Sequence, residues 1–201
     1  MSKRFFDIIF SIFVLVLGAP VFILCMLAVR LTSTGPLFYA CKRVGKEGQI
    51  FRCWKLRTMV EGAESMLPVI LASNSALSHE WETFYKLKED PRITAVGKWL
   101  RKTSLDEIPQ FWNVLKGDMS IVGPRPLSQE EISYHLKGRS KKILSLRPGI
   151  TGLWAISGRS EIPYEQRISL EEQYVDRHNF PLDFAIIAKT ALSMFLPRGA
   201  F

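Results

Sequence analysis

The hydrophobic positions of this chain are concentrated in one segment near its start. Residues 8–29 contain no charged side chain, and a helix of that length measures about 33 Å, enough to cross the hydrocarbon core of a bilayer. Gly18, Ala19 and Pro20 lie at its midpoint. Because proline has no N–H and its ring clashes with the preceding turn, we expect a kink there. A spanning helix and a re-entrant helix-break-helix both fit this pattern.

The rest of the chain alternates short hydrophobic runs with turn-forming residues, which predicts a mostly helical α+β domain. Residues 37–42 and 49–57 are rich in β-branched and aromatic side chains and flank the turn sequence 45–48, so we expect a β-hairpin. Residues 73–79 are polar and predict a loop. Helices are expected from about residue 60 and near 80–88, 94–102, 106–115, 128–146, 163–178 and 182–196, and a strand near 151–157. The last helix is apolar but short for a span, so it predicts a core helix or one lying in the membrane interface.

Composition narrows the class of protein. The 201 residues are 47% hydrophobic and include five Trp, which excludes a disordered protein and allows one domain with a substantial core. The three cysteines form no CxxC pair and no Cys/His cluster. Neither a disulfide scaffold nor a zinc module is therefore indicated, and a reducing compartment is the simplest setting.

The net charge of +8 is unevenly distributed along the chain. The first 60 residues contain nine Lys and Arg, against Asp7 and Glu47 as their only acidic side chains. This basic block adjoins the apolar segment, which favours anionic headgroups or phosphate-bearing substrates over nucleic acid as partners. Because basic residues flank the apolar segment on both sides, the positive-inside rule assigns it no orientation.

The densest group of polar side chains lies at residues 101–110. Ser104 and Glu107 match the Ser-x-x-Glu capping box of a helix start, which would be a structural role. In the alternative interpretation, Asp106 lies at a helix N-terminus close to Arg101, which would keep its carboxylate ionised. Such a carboxylate can act as a nucleophile on phosphorus or as an oxygen ligand for Mg2+.

A second basic group belongs to the predicted hairpin. Lys55 and Arg57 are two residues apart in a predicted strand, so we expect both on one face, where they could hold a pyrophosphate. Arg43 belongs to the same basic stretch. The alternative is a basic edge that faces solvent or lipid headgroups.

Three further arginines lie beside turn-forming residues. Arg125 is held between two prolines, which stiffen its backbone and suit it to an anion site. Arg147 precedes Pro-Gly and Arg159 follows Ser-Gly, so they repeat this arrangement. A solvated arginine on a rigid loop is the alternative for each.

Taken together, these residues resemble the bacterial sugar transferases that are monotopic polyprenyl-phosphate phosphoglycosyl transferases. The resemblance rests on the basic-flanked apolar segment with its central Pro and on the stretches KRVGKEGQIFRCWKLRTM, TSLDEIPQFWNVLKGDMSIVGPRP and RPGITGLWAISGR. It covers essentially the whole chain, which looks like the minimal catalytic unit of a family with larger members. It implies transfer of a sugar 1-phosphate from a UDP-sugar to undecaprenyl phosphate, releasing UMP, as the first membrane step of surface polysaccharide or glycoconjugate assembly.

The same resemblance implies roles for individual residues. Asp106 would attack the sugar-bearing phosphorus and form a covalent phosphosugar intermediate in a ping-pong sequence. Glu107 would assist as an acid or base, or by helping to place Mg2+. Arg101 and Arg125 would bind anionic groups of the substrates.

The resemblance also implies an arrangement of domains. Residues 1–32 would form a re-entrant anchor with both ends in the cytoplasm. Residues 33–201 would form a catalytic domain on the cytoplasmic face of the bacterial inner membrane, with interface helices around it and one at its C-terminus. Family members often have Ser-Pro at the break, whereas this chain has Ala19-Pro20, so its bend lacks a hydroxyl that could bond back to a helix carbonyl.

Two other functions stay open at this stage. A membrane-attached glycosyltransferase would move the sugar alone and release UDP, and a non-enzymatic basic module would only bind anionic lipid. Residues 151–159 and 198–201 are similar to those of members that handle galactose-type donors. A homodimer is also left open.

Overall fold

The computed structural model describes residues 3–84, 86–136, 138–158 and 162–195. Its α-helices are α1 (Lys3–Thr32), α2 (Ala63–Ser73), α3 (Ser75–Phe84), α4 (Ala95–Thr103), α5 (Gln110–Lys116), α6 (Gln129–Glu131), α7 (Ser140–Ile143), α8 (Leu153–Ile156), α9 (Tyr164–Arg177) and α10 (Phe180–Phe195). Its strands are β1 (Phe38–Val44), β2 (Ile50–Leu56), β3 (Ser120–Val122) and β4 (Gly149–Thr151). The predicted mostly helical α+β class is confirmed.

The predicted hairpin is confirmed by the antiparallel pairing of β1 and β2. The register runs from Phe38 opposite Leu56 to Val44 opposite Ile50. Alternate residues of β2 are buried against the main core, as expected for a strand with one face turned inward. Strand β2 ends at Leu56, and Arg57 follows it directly, with its N–H donating to the Leu37 carbonyl at 2.9 Å.

A second strand pair was not predicted. Strands β3 and β4 pair in parallel, with Ser120 opposite Gly149 and Val122 opposite Thr151. The two backbone segments approach so closely that a Cβ on Gly149 would collide with the backbone of Gly123, the residue after β3. Since glycine is depleted in strands, the sequence pattern gives little sign of this pairing. The strand expected at 151–157 is wrong, because β4 ends at Thr151 and is followed by α8.

Two other expectations about local structure are wrong. The polar stretch 73–79 is not a loop, because the Asn74 side chain accepts hydrogen bonds from the backbone of Ala76 and Leu77 and so starts α3. The single helix expected at 128–146 is divided into α6, a π-helical turn and α7. Gly138, with φ of +94°, falls between the last two, in a conformation that no regular helix contains.

Helix α1 is the most apolar element of the fold. Its 30 residues are helical without interruption, Pro20 included, and the helix is long and apolar enough to cross a membrane. Large apolar side chains remain exposed along its length, namely Phe5, Ile9, Ile12, Phe13, Val16, Leu17, Val21, Ile23, Leu24, Leu27 and Leu31. The kink and the re-entrant course stay predictions.

Both ends of α1 are attached to the rest of the domain. Near the start, the buried Asp7 carboxylate accepts hydrogen bonds from Ser120 Oγ at 2.9 Å and from the Ile121 N–H at 3.2 Å. Near the end, Cys25 and Val29 are buried in one apolar cluster with residues of β2 and α4. The middle of the helix therefore bridges two anchored ends.

Candidate active site

A cavity of about 680 Å³ lies among α1, α10 and the turn that joins α4 to α5. Part of its lining is charged and includes Lys55, Arg101, Asp106, Glu107, Arg125 and Arg167. The part contributed by α1, α5 and α10 is largely apolar and includes Phe10, Val14, Val21, Phe111, Ile187 and Ala191. The cavity therefore offers both a polar and an apolar surface to a single ligand.

Asp106 occupies a short turn between two helices. Helix α4 ends at Thr103, and Ser104 follows with φ of +58°, in the left-handed region that a non-glycine residue seldom adopts. Residues Leu105–Glu107 then form a 3₁₀ turn in which Asp106 is only 5% exposed. The capping-box interpretation of Ser104 is wrong, because its side chain makes no capping hydrogen bond. The helix expected at 106–115 is likewise shortened to α5, which begins after Pro109.

The structure brings Lys55, Arg101, Asp106 and Glu107 together at this cavity. The Lys55 ammonium donates a hydrogen bond to Glu107 Oε1 and lies 3.9 Å from Asp106 Oδ2. Arg101 Nε donates to Thr58 Oγ1 at 2.9 Å. Helix α4 can approach Thr58 this closely because it has a glycine there: a Cβ on Gly97 would collide with the Thr58 carbonyl.

The two neighbouring carboxylates have different electrostatic environments. Burial raises the pKa of Asp106 to about 6, against the attraction of Lys55 and with added repulsion from Glu107. Burial also opposes ionisation of Glu107, but the charge and hydrogen bond of Lys55 hold the pKa of Glu107 below its usual value. At neutral pH both are mainly ionised, and Asp106 is the more basic of the two.

A buried asparagine fixes the distance between the lysine and the carboxylates. Asn113 of α5 is fully buried; its amide donates to the Arg52 carbonyl at 2.7 Å and accepts from the Trp54 N–H at 3.1 Å. It thereby ties α5, which directly follows the Asp106 turn, to the strand that carries Lys55. A single Asn in a helix has no characteristic spacing, so the sequence offered no sign of it.

Another wall of the cavity is built around Arg125. Its guanidinium carbon lies 4.7 Å from the centre of the Trp154 ring. Arg43 Nη1 donates to Glu131 Oε2 at 2.9 Å, and Glu131 lines the cavity. Arg43 itself is not among the lining residues, so it supports the wall through Glu131. Glu131, Trp154 and Arg167 were missed as site residues. Glu131 completes a Ser-x-x-Glu capping box with Ser128, a spacing that indicates a helix start rather than a ligand site, and Trp154 and Arg167 have no spacing that indicates one.

Two predicted arginines, Arg57 and Arg147, are not among the residues that line this cavity. The buried Arg57 donates through Nη2 to the carbonyl and hydroxyl oxygens of Ser33, both at 2.9 Å, so it does not join Lys55 in a pyrophosphate grip. Arg147 is exposed and donates through Nε to the Gly117 carbonyl at 2.8 Å; it lines a separate cavity of about 260 Å³. Arg159 lies outside the described residues.

The predicted Mg2+ can be tested against the donor groups present. Within the described ranges, no three His, Cys, Asp or Glu side chains are grouped so that they could hold a metal ion. Asp106 and Glu107 do offer adjacent carboxylates. Mg2+ is commonly held by one or two carboxylates and completes its coordination with water and substrate phosphates. The site therefore fits a Mg2+ shared with a diphosphate ligand better than one enclosed by protein alone.

Comparison with known proteins finds sequences that match nearly the whole chain. Residues 1–197 match the family model described as bacterial sugar transferase. Over its full length the chain is 42% identical to the exopolysaccharide production protein ExoY of Sinorhizobium fredii and covers 88% of that protein. Over 99% of its length it is 43% identical to the undecaprenyl-phosphate galactose phosphotransferase of Salmonella typhimurium, of which it covers 41%. The UDP-glucose:undecaprenyl-phosphate glucose-1-phosphate transferase of Klebsiella pneumoniae is 35% identical over 99% of the chain, which again covers 41% of that relative.

The environment of Asp106 predicts how its protonation responds to Lys55. In Lys55→Met the attraction that favours the carboxylate is lost while burial remains, so the pKa of Asp106 should rise above about 6. Carboxyl ¹³C NMR of protein labelled at aspartate measures this shift directly. Lys98→Met, which breaks an exposed ion pair with Glu89, is the matched control and should leave the Asp106 titration unchanged. An Asp106 titration that is the same in Lys55→Met and wild type would contradict this assignment.

Proposed function

Because this chain belongs to the bacterial sugar transferase family, we propose that it transfers a sugar 1-phosphate from a UDP-sugar to undecaprenyl phosphate. The products are undecaprenyl-diphosphate-sugar and UMP, and the reaction starts the assembly of a surface polysaccharide. The observation that carries the proposal is the single cavity that joins buried charged groups to an apolar wall from α1 and α10. The donor is polar, and the acceptor combines a phosphate with a long hydrocarbon chain, so one site must accommodate both chemistries.

In the first step a carboxylate oxygen of Asp106 attacks the phosphorus that bears the sugar. A new P–O bond forms to Asp106, the bond to the bridging oxygen of the diphosphate breaks, and UMP leaves with that oxygen. In the second step an oxygen of undecaprenyl phosphate attacks the same phosphorus and displaces the Asp106 carboxylate. One bond forms and one breaks in each step, so no further energy source is needed.

The environment of Asp106 supports this role. At 5% exposure the carboxylate has lost most of its water, which increases its reactivity, and the charges of Lys55 and Arg101 keep it ionised. The same two cations stabilise the negative charge on the transferring phosphoryl group. Glu107 holds Lys55 in position through their hydrogen bond.

Mg2+ is proposed as a cofactor on the basis of the donor groups. Asp106 and Glu107 would supply its protein ligands, and the ion would offset charge on the diphosphate. The activity should therefore be lost on chelation and restored by Mg2+.

The donor sugar is proposed by analogy with relatives. Two similar proteins are named for the transfer of galactose and of glucose 1-phosphate respectively, so UDP-galactose and UDP-glucose are the first donors to test. The galactose-type donor is favoured by the sequence similarity at residues 151–159.

We also propose that α1 enters and leaves the bilayer on one face. Asp7 near its start and Val29 near its end both contact the same domain. A helix that crossed the membrane would carry one of these ends to the far side, away from its partners. The exposed apolar side chains between the anchored ends would then lie in lipid, with the active site at the cytoplasmic surface of the inner membrane.

The released nucleotide tests the reaction. Purified protein in detergent, given UDP-galactose or UDP-glucose with undecaprenyl phosphate and Mg2+, should release UMP. Asp106→Asn keeps the side-chain shape but removes the nucleophile, so turnover should fall by about three orders of magnitude or more. Asp176→Asn, the same change at an exposed position of α9, should retain wild-type turnover.

Two results would reject this reaction. Release of UDP would indicate a glycosyltransferase that moves the sugar alone. Full function of Asp106→Asn, with binding to anionic vesicles that salt abolishes, would indicate a basic membrane-binding module.

Reporter fusions test the topology. With a fluorescent protein, which folds only in the cytoplasm, both an N-terminal and a C-terminal fusion should be fluorescent. With alkaline phosphatase, which is active only in the periplasm, both should be inactive. A periplasmic N-terminus would show that α1 spans the membrane.

A further inference from the structure

Arg167 of α9 was not singled out by the sequence, yet it lies in the same cavity as Asp106. Its guanidinium carbon is 5.5 Å from the centre of the Trp154 ring, the same ring that Arg125 approaches to 4.7 Å. It is also 5.2 Å from the Tyr164 ring. Aromatic faces hold the two cations in place without neutralising them.

The positive charge of this pair is not matched by hydrogen-bonded carboxylates. Arg167 is only 6% exposed, and within the described residues the Nε atoms of both Arg125 and Arg167 have no hydrogen-bond partner. Glu131 already accepts hydrogen bonds from Arg43 and from the Ser128 N–H. The carboxylate oxygens of Glu171 receive no hydrogen bond of regular geometry, and burial raises the pKa of Glu171 to about 8, so it is mainly neutral at pH 7. A buried guanidinium N–H without an acceptor destabilises the protein unless a ligand accepts a hydrogen bond from it.

Lys86 links this pair to the catalytic end of the cavity. Burial and the repulsion of Arg101, Arg125, Lys55 and Arg167 lower the pKa of Lys86 to about 7. Lys86 lines the same cavity as Lys55, Arg101, Arg125 and Arg167, so the cations of both walls border one common space. An anion that entered it would be attracted by both.

The geometry of phosphoryl transfer indicates which anion belongs there. The attacking and leaving oxygens lie roughly in line across the phosphorus. When Asp106 attacks, the UMP phosphate must leave from the opposite side. When Asp106 is later displaced, the phosphate of the acceptor must attack from that same opposite side. Both phosphates therefore occupy one position in turn.

We propose that Arg125 and Arg167, held against Trp154, form this shared subsite, which binds the phosphate of UMP in the first step and the phosphate of the lipid acceptor in the second. The inference rests on the proposed function, since only a two-step reaction through Asp106 requires one subsite to serve both phosphates. Guanidinium groups suit it because they bind phosphate through paired hydrogen bonds.

Each half of the reaction can be measured separately with Arg167→Gln. Exchange of labelled UMP into UDP-galactose without acceptor reports the first step and its reversal. Transfer from sugar-loaded protein to undecaprenyl phosphate reports the second. The KM for UMP and the KM for undecaprenyl phosphate should both rise by about tenfold or more, by similar factors, because each phosphate loses the same charged donor. Arg167→Lys, which keeps the charge but not the paired donors, should give smaller increases in both.

The matched control is Arg177→Gln, which removes the same charge from an exposed position of the same helix and should change neither KM. If neither KM rises in Arg167→Gln, or if only one does, the shared subsite is wrong. Lower activity with unchanged KM values and a lower melting temperature would show that Arg167 only stabilises the fold. If Arg167→Gln does not fold, Arg167→Lys is measured in its place. An increase in both KM values then supports the shared subsite, and an increase in neither or in only one contradicts it. Absence of UMP exchange in the wild-type protein, with UDP-galactose and with UDP-glucose, would instead reject the proposed function itself.

Discussion

The site depends on one interaction, the contact of the Lys55 ammonium with two adjacent carboxylates. Burial alone would protonate Asp106 and make it useless as a nucleophile, while full solvation would leave it poorly reactive. Lys55 offsets part of the burial penalty, so Asp106 stays ionised yet nearly inaccessible to water. Glu107, bonded to the same ammonium, fixes the lysine and leaves Asp106 as the more basic carboxylate.

Several packing contacts of the fold hold Lys55 and the two carboxylates in place. Asn113 joins α5 to the backbone of β2 on both sides of Cys53. Gly97 allows α4 to pack on Thr58, which in turn receives the hydrogen bond of Arg101. Helix α1 closes the cavity with an apolar wall and is attached at both ends, so a lipid-like ligand and the charged site meet at the same opening.

The sequence predicted the parts of this arrangement that have a local pattern. The apolar run of α1, the hairpin and the group around Asp106 could be read from spacing and composition. Long-range contacts could not: the β3–β4 pair depends on Gly149, which disfavours strands, and Arg167 reaches the cavity only through the packing of α9 on α8. Arg57 shows the opposite error, since its spacing from Lys55 suggested a shared phosphate site, whereas its side chain donates to Ser33.

The most direct test of the central claim is the intact mass of the protein after incubation with UDP-galactose and no acceptor, followed by peptide mapping. A mass increase of one hexose phosphate, located on Asp106 and removed by undecaprenyl phosphate, is the expected result. UMP release without any covalent adduct, or an adduct on another residue, would contradict the claim that Asp106 is the nucleophile.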